Sequence, residues 1–332
     1  LMLGEELLIL GGNGTVPLGI TPTPSLTQTA TGGSLPDGTV HVSCVALTLE
    51  GYVNASVAAG IPTLVTRTNA DASVDTFGGG SAQKSASTSL AVNGGGTAQR
   101  INATVAAVRG AVAYAWYWGA AAATATLGAI TTVNAYTITV AAGTGTQAYS
   151  TLPSADNSTN NLVFDGLLTQ AMKLGSNSYY RSLNGSSINT DNAGGIVEID
   201  VALKSFWDNY RLTPDTIWVS SDQALAISQK ILATNSSGAY RIVVNMEQGM
   251  IAGGVMVATY LNRFSMNGAN VLKVRIHPNM PQGMIFFSAR SLPYPVSGVA
   301  NVMCIRTRQE YYQIEWPQTR RRYECIVPGV NS

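Results

Sequence analysis

GGIVEIDVALKSFWDNYRLTPDTIWVSSDQALAISQKIL, residues Gly194 to Leu232, is the stretch whose reading decides the fold. Ile199, Leu203, Phe206 and Tyr210 fall at spacings of four, three and four, which places them on one face of a helix. Glu198 and Asp200 sit in its first turn, where the helix dipole favours anions. Pro214 bars Thr213 from helical geometry, so the helix ends before it. Ile217 and Val219 then alternate with Thr216 and Trp218 as a short strand. Ser220 and Gln223 have the spacing of a capping box, and Ala224, Ile227 and Ile231 give a second helix its apolar face. Asn235 to Gly238 is expected to stop it. Helix, strand and helix in close succession predict the centre of a compact α+β unit.

Composition narrows the function classes. The 332 residues are enough for two domains, and 19 basic against 18 acidic residues leave a net charge of +1. Such balance gives no general attraction to nucleic acid or to an anionic membrane. Only 11% of residues are charged, well below the usual quarter or so. A surface so poor in charge suits a protein that covers itself with neighbours, and it also suits a β-rich secreted domain. Cys44, Cys304 and Cys325 are odd in number and far apart, so they predict small buried hydrophobes and no disulfide framework. The start, Leu1 to Glu6, lacks the basic region of a signal peptide, and the apolar run Gly110 to Ala123 is too short to span a bilayer. A reducing cytoplasm is therefore the expected place of synthesis, and the sequons at Asn54, Asn102, Asn157, Asn184 and Asn235 are expected to be silent.

Leu1 to Leu10 reads as the end of a helix stopped by Gly11-Gly12-Asn13-Gly14. With no N-cap before it, the expectation is a longer helix cut short. These glycines are not a nucleotide loop, since no Gly-Lys-Ser/Thr follows and no helix opens after them. From residue 21 charge nearly vanishes. Strand-like runs recur at Thr39–Leu49, Pro62–Thr66, Gln99–Val108, Ala111–Trp118, Thr126–Thr132 and Tyr136–Ala141, predicting a β-sandwich with half-buried strands. Trp116 is the expected aromatic of its core. Gly78 to Lys84 and Gly94 to Gly96 read as mobile loops or hairpin tips. Pro153 to Asn161 reads as a polar connector, Leu162 to Met172 as a return to the first unit, and Ser176 to Asn192 as a long surface loop. Further strands are expected at Tyr240–Asn245, Val255–Tyr260, Val271–Ile276, Met284–Phe287, Asn301–Trp316 and Tyr323–Val327.

Three of these stretches carry a resemblance. "TPDTIWVSSDQALAI" after a helix resembles the axial domain of tailed-phage major capsid proteins with the Hong Kong-97-type fold. "EELLILGGNG…LGI", Glu5 to Ile20, is similar to the end of that family's long spine helix. "LPYP" at Leu292 to Pro295, with "RQEYYQIEWPQTRRRYE" at Arg308 to Glu324, resembles the C-terminal part of one subfamily. Between them, "GTVHVSCVALTLEG" and "AVAYAWYWG" resemble the B and C strands of immunoglobulin-like or fibronectin type III-like modules.

The resemblance implies an α+β capsid fold interrupted by an inserted all-β sandwich. Residues 1–20 would be the end of the spine helix, 21–161 the insertion with its connector, and 162–332 the axial domain and C-terminal strands. It implies a structural protein that self-assembles into hexamers and pentamers of an icosahedral shell around DNA, located in the virion and assembled in the host cytoplasm. The implied partners are other copies of the chain, scaffold, portal and decoration proteins, and packaged DNA without sequence specificity. The family's N-terminal arm and extended loop have no counterpart here, so no cross-link residues are assigned. The loop between Tyr240 and Gly254 would lie near the capsomer axis, and the loop at Ser176–Asn192 between subunits. Arg306, Arg308 and Glu310 share a strand face and, with Arg320, Arg321 and Arg322, are the expected subunit contacts, arginine being suited to bidentate carboxylate pairing; the other reading of the triplet is a patch that touches nucleic-acid phosphates.

Chemistry points away from an enzyme. His41 and His277 fall in different predicted domains, no cysteine and histidine spacing fits zinc, and no Gly-x-Ser-x-Gly elbow occurs. Asp191, Glu198 and Asp200 are better explained by the helix N-terminus than by catalysis. No cofactor is expected. The rival reading is a β-sandwich surface module that binds carbohydrate or a host receptor.

Overall fold

The computed structural model describes residues 13–94, 96, 98–233, 259–265, 270–289, 314–315 and 325–326. It is mixed α+β, mostly β-sheet with few helices. The first part is a sandwich. One sheet has the order β1 (Ser25–Thr29), β6 (Arg100–Thr104), β9 (Ala135–Ile138). The other has the order β5 (Thr88–Val92), β2 (Gly38–Leu47), β7 (Ala113–Gly119), β8 (Thr126–Thr131). All neighbours are antiparallel. Val42, Cys44, Tyr114, Trp116 and Trp118 from the larger sheet meet Ile101, Ala103 and Ile138 from the smaller. Trp116 is fully buried, and its indole N–H donates to Thr131 Oγ1 at 2.9 Å, so its one polar atom is satisfied inside the core.

Two sequence expectations change here. The central strands are not half-buried. Val45 and Leu47 of β2, with Ala113, Ala115 and Tyr117 of β7, point away from the sandwich core into a second cluster with Ile61, Leu127 and Leu152. The outer face of this sheet is thus covered by α1 (Leu49–Val53) and by the segment returning through Tyr149 and Leu152. Nor are β2 and β7 a B and C pair, because those strands lie in opposite sheets of an immunoglobulin sandwich. Here they are hydrogen-bonded neighbours, with Cys44 opposite Trp116.

Gly78 to Lys84 is not a mobile tip. β3 (Leu64–Thr68) and β4 (Val74–Gly78) form a separate two-stranded ribbon, and the chain leaving it is locked in place. Gly79, Gly80, Ser81 and Ala82 are buried. Gly80 has φ +96°, and a Cβ on it would lie 2.4 Å from Gly51 N. Only glycine lets the two backbones approach this closely. Gly94 and Gly96 are exposed between β5 and β6, as expected of a turn. The sequence reading passed over β1, β4 and β5, whose small and polar residues hide their pairing, and the short helix α1.

The second part follows α2 (Leu167–Met172). α3 (Val197–Tyr210), β10 (Thr216–Val219) and α4 (Ser221–Ala233) form as the sequence predicts. α3 ends at Arg211, which adopts the left-handed conformation (φ 55°) just before Pro214. Ser220 Oγ accepts from Gln223 N at 3.3 Å, one half of the capping box. β10 lies inside a four-stranded sheet of order β11 (Thr259–Asn262), β12 (Asn270–Ile276), β10, β13 (Ile285–Ser288), parallel to β12 and antiparallel to β13. Ile199 and Leu203 of α3 and Ala224 and Ile227 of α4 cover one face, over Ile217, Val219 and Leu272. The other face is covered too, so all four residues of β10 are buried. On β12, Leu272 is buried but Ile276 is 43% exposed. Ser176 to Asn192 is not a loop lying free on the surface: Leu183 and Ile188 join the core under α3.

Ile314–Glu315 (β14) and Cys325–Ile326 (β15) pair antiparallel. The spine-helix stretch Leu1–Leu10, the stop at Asn235–Gly238, the strand at Tyr240–Asn245, the loop to Gly254 and most of Asn301–Trp316 lie outside the described residues. Among the described residues no helix is long and apolar enough to cross a membrane.

One packing detail is open to a direct test. Gly128 is the extra residue of a bulge in β8, opposite the step from Trp116 to Tyr117. A Cβ there would lie 2.0 Å from the Trp118 ring, whose indole N–H donates to Val140 O. Gly128→Ala is expected to displace that ring and cost about 1–3 kcal/mol, the range for overpacking a core. Urea unfolding followed by tryptophan fluorescence would read the loss. An unchanged midpoint would show that the ring has room to move.

Candidate functional site

At the junction where the sandwich leaves and rejoins the rest, hydrogen bonds tie two distant stretches of chain together. The two ends of the sandwich segment run side by side. Asn160 N donates to Asn13 O at 3.0 Å, and Asn13 Nδ2 to Ser158 O at 3.3 Å. Leu18 N donates to Ser158 Oγ at 2.9 Å, and Gly19 N to Asp156 Oδ2 at 2.7 Å. Asp165 closes the seam: its Oδ1 accepts from Gly14 N at 2.8 Å and Thr15 N at 3.0 Å, and its Oδ2 from the Thr15 hydroxyl. Partial burial alone would raise the Asp165 pKa. The Thr15 hydroxyl, the Thr15 and Gly14 amides and the Lys173 charge outweigh it and hold the carboxyl below its ordinary value. The connector Pro153–Asn161 is therefore more than a spacer. Ser158 and Asn160 are buried, and Asn157 N donates to Ser81 O.

Beside this seam lies an apolar junction. Val112, Leu49 and Tyr52 from the sandwich pack with Leu168 and Met172 of α2 and with Trp218, Met280, Met284 and Phe286 of the second sheet. Trp218 is 6% exposed, and its indole N–H donates to Ser288 Oγ at 3.1 Å. His277 stands edge-on to its ring at 6.1 Å, and the Arg275 guanidinium lies 5.6 Å from the ring centre. The sandwich is seated on the second unit through this layer.

The residues that suggested chemistry have other employment. His277 is buried, and its Nδ1 accepts from Asn279 N at 3.2 Å, turning the chain after β12. His41 is half-buried on β2. Cys44 is fully buried, and desolvation pushes its thiol pKa well up, away from nucleophilic use. Asp191 Oδ1 accepts from Ala193 N and Gly195 N, and Oδ2 from Arg263 at 3.4 Å. Glu198 accepts from Asn189 N and Nδ2. The Tyr260 hydroxyl donates to Asp200 at 2.8 Å and accepts from Ile196 N. These three carboxylates fasten the loop before α3 to that helix and to β11. The sequence reading saw a favourable helix dipole and missed the backbone amides, which only the folded loop presents.

Among the described residues no three His, Cys, Asp or Glu side chains gather as metal ligands. A shallow groove of about 230 Å³ runs at the foot of the β3–β4 ribbon, lined by Thr76, Phe77, Asp156, Asn157 and Asn161. Arg306, Arg308, Glu310, Arg320, Arg321 and Arg322 lie outside the described residues; the pairing of β14 with β15 brackets the arginine triplet in the chain. In comparisons with known proteins, the chain matches no family model, no curated protein and no solved structure.

The seam makes a pH prediction. Asp165 has its pKa depressed on folding, so its contribution is present above the ordinary carboxylate value of about 4 and is lost as pH falls through the lower folded value. Asp165→Ala is expected to cost about 1 kcal/mol at neutral pH, a capping-type loss at a partly exposed site. The gap in melting temperature between the two proteins should shrink below about pH 4. A gap independent of pH would mean that the carboxylate charge is not what closes the seam.

Proposed function

We propose that this chain is a shell-forming structural subunit, the major capsid protein of a tailed phage or prophage with a Hong Kong-97-type fold, carrying an inserted β-sandwich. The observation that carries the reading is the seam. A domain inserted into a host fold must leave and return at one place, and the sandwich here is bounded by two chain segments joined from Asn13–Gly19 to Asp156–Asp165. The reading requires the chain before the sandwich and the chain after it to form one unit, whereas a string of independent adhesion modules would leave them apart. The helix–strand–helix of α3, β10 and α4 agrees with the axial-domain pattern that the sequence resembles.

On this reading the work is assembly rather than turnover. Hexamers and pentamers form through head-to-tail contacts between different patches of neighbouring copies. Residues 162–332 belong at the capsomer axis, and the arginines at Arg306–Arg308 and Arg320–Arg322, with Glu310, are assigned to subunit contacts. Scaffold, portal and decoration proteins and packaged DNA are the expected company in the virion.

Negative-stain electron microscopy of the full chain, expressed alone and with its genomic neighbours, tests this. Closed shells or capsomer rings are the expected result. Persistent monomers that bind glycans on an array would overturn the reading in favour of a surface-binding module.

A further inference from the structure

The β3–β4 ribbon is the one sheet of the sandwich region that packs into neither core. Every residue of β3 and the first three of β4 are exposed, including Leu64 at 54%, Val65 at 45% and Val74 at 60%. A two-stranded ribbon with both faces in water is marginal on its own. This one is nevertheless built with care at its tip. Asn69 N donates to Ser73 O, Asn69 Nδ2 to Ser73 Oγ and Asp75 Oδ2, and Ser73 N to Asp71 Oδ1. Its foot is anchored where Gly78 N donates to Thr159 O. The ribbon is a formed surface that no other described residue of the chain covers.

Its register says what would cover it. Val65 stands opposite Phe77 and Arg67 opposite Asp75, and these four alternate onto one face. The other face carries Leu64, Thr66, Thr68, Val74 and Thr76 and no charge. The first face is complementary to itself. A two-fold axis lying along the ribbon, between two such faces, lays β3 of one copy over β4 of the other. Arg67 then meets the partner's Asp75, Val65 meets the partner's Phe77, and each contact occurs twice. We infer that this face pairs with the same face of a second copy of the chain. The inference deepens the assembly reading and rests on it for the crowding of copies that brings two ribbons together.

Charge reversal tests the pairing. Arg67→Asp and Asp75→Arg each place like charges across the two-fold, and the double variant restores opposite charges. Circular dichroism would verify that all four proteins fold. Sedimentation velocity over a concentration series would read self-association of the full chain, and electron microscopy its particles. Each single variant is expected to weaken self-association roughly tenfold at low salt, and the double variant to recover most of it. Single variants that associate as the original does would overturn the pairing and leave the shell reading standing if particles still form. Loss in all three variants would also overturn it, because the ribbon would then act through its fold. Charge-dependent dimers without shells would keep the pairing and sink the capsid reading. A chain that stays monomeric at every concentration would sink both.

Discussion

The fold depends on one requirement, that both faces of each central sheet be covered. A four-stranded sheet buries little if one face stays wet, and the described residues form two such sheets. The sandwich core covers one face of β2 and β7, and α1 with the returning segment covers the other. Helices α3 and α4 cover one face of β10, and the second face is covered where the sandwich itself arrives, through Leu49, Tyr52 and Val112 against Trp218. The last contact joins the two requirements. Removing the sandwich would expose Trp218, Met280 and Phe286 together, so each unit completes the other's core. An apolar layer of this kind favours a fixed attachment over a swinging one.

That mutual covering also explains what could be read in the sequence. The helical period of Ile199, Leu203 and Phe206 was legible because a surface helix shows one apolar stripe and one polar one. Its stop at Pro214 was legible because proline constrains the residue before it whatever surrounds the chain. The strands were legible as strands, but their environment was not. Alternation in β2 reads as one wet face, yet the residues of the second face are Val45 and Leu47, which the outer cluster buries. Thr216 and Trp218 of β10 carry polar atoms, yet the fold buries both and gives the Trp218 indole a hydrogen bond to Ser288. One-dimensional patterns report how polar a face is, and the covering of that face is a tertiary fact.

The seam was illegible for a related reason. Apart from Ala155, Pro153–Asn161 consists of polar residues and turn formers, the composition of an exposed connector. In the folded chain those side chains face backbone amides of residues 13–19, more than a hundred positions earlier. No local signal announces such a pairing. The glycines gave a partial clue. Gly78 and Gly80 read as flexibility, whereas a Cβ on Gly78 would meet Asn157 O and Thr159 O at 2.4 Å. Glycine here marks close approach of two backbones.

The use of charge draws these threads together. Ion pairs join Lys204 with Asp208 and Arg263 with Asp191. Five carboxylates hold backbone amides: Asp71 that of Ser73, Asp156 those of Gly19 and Ser158, Asp165 those of Gly14 and Thr15, Asp191 those of Ala193 and Gly195, and Glu198 that of Asn189. Each fixes a loop that carries no regular structure. A chain with few acids that commits them to its own turns has little left for long-range fields, and its surface is mostly Thr, Ser, Ala and Gly. Such a surface neither repels copies of itself nor draws in charged strangers. What specificity it has must then come from a few placed pairs, and on β3 and β4 the cross-strand neighbours Arg67 and Asp75 stand out because so little else around them is charged.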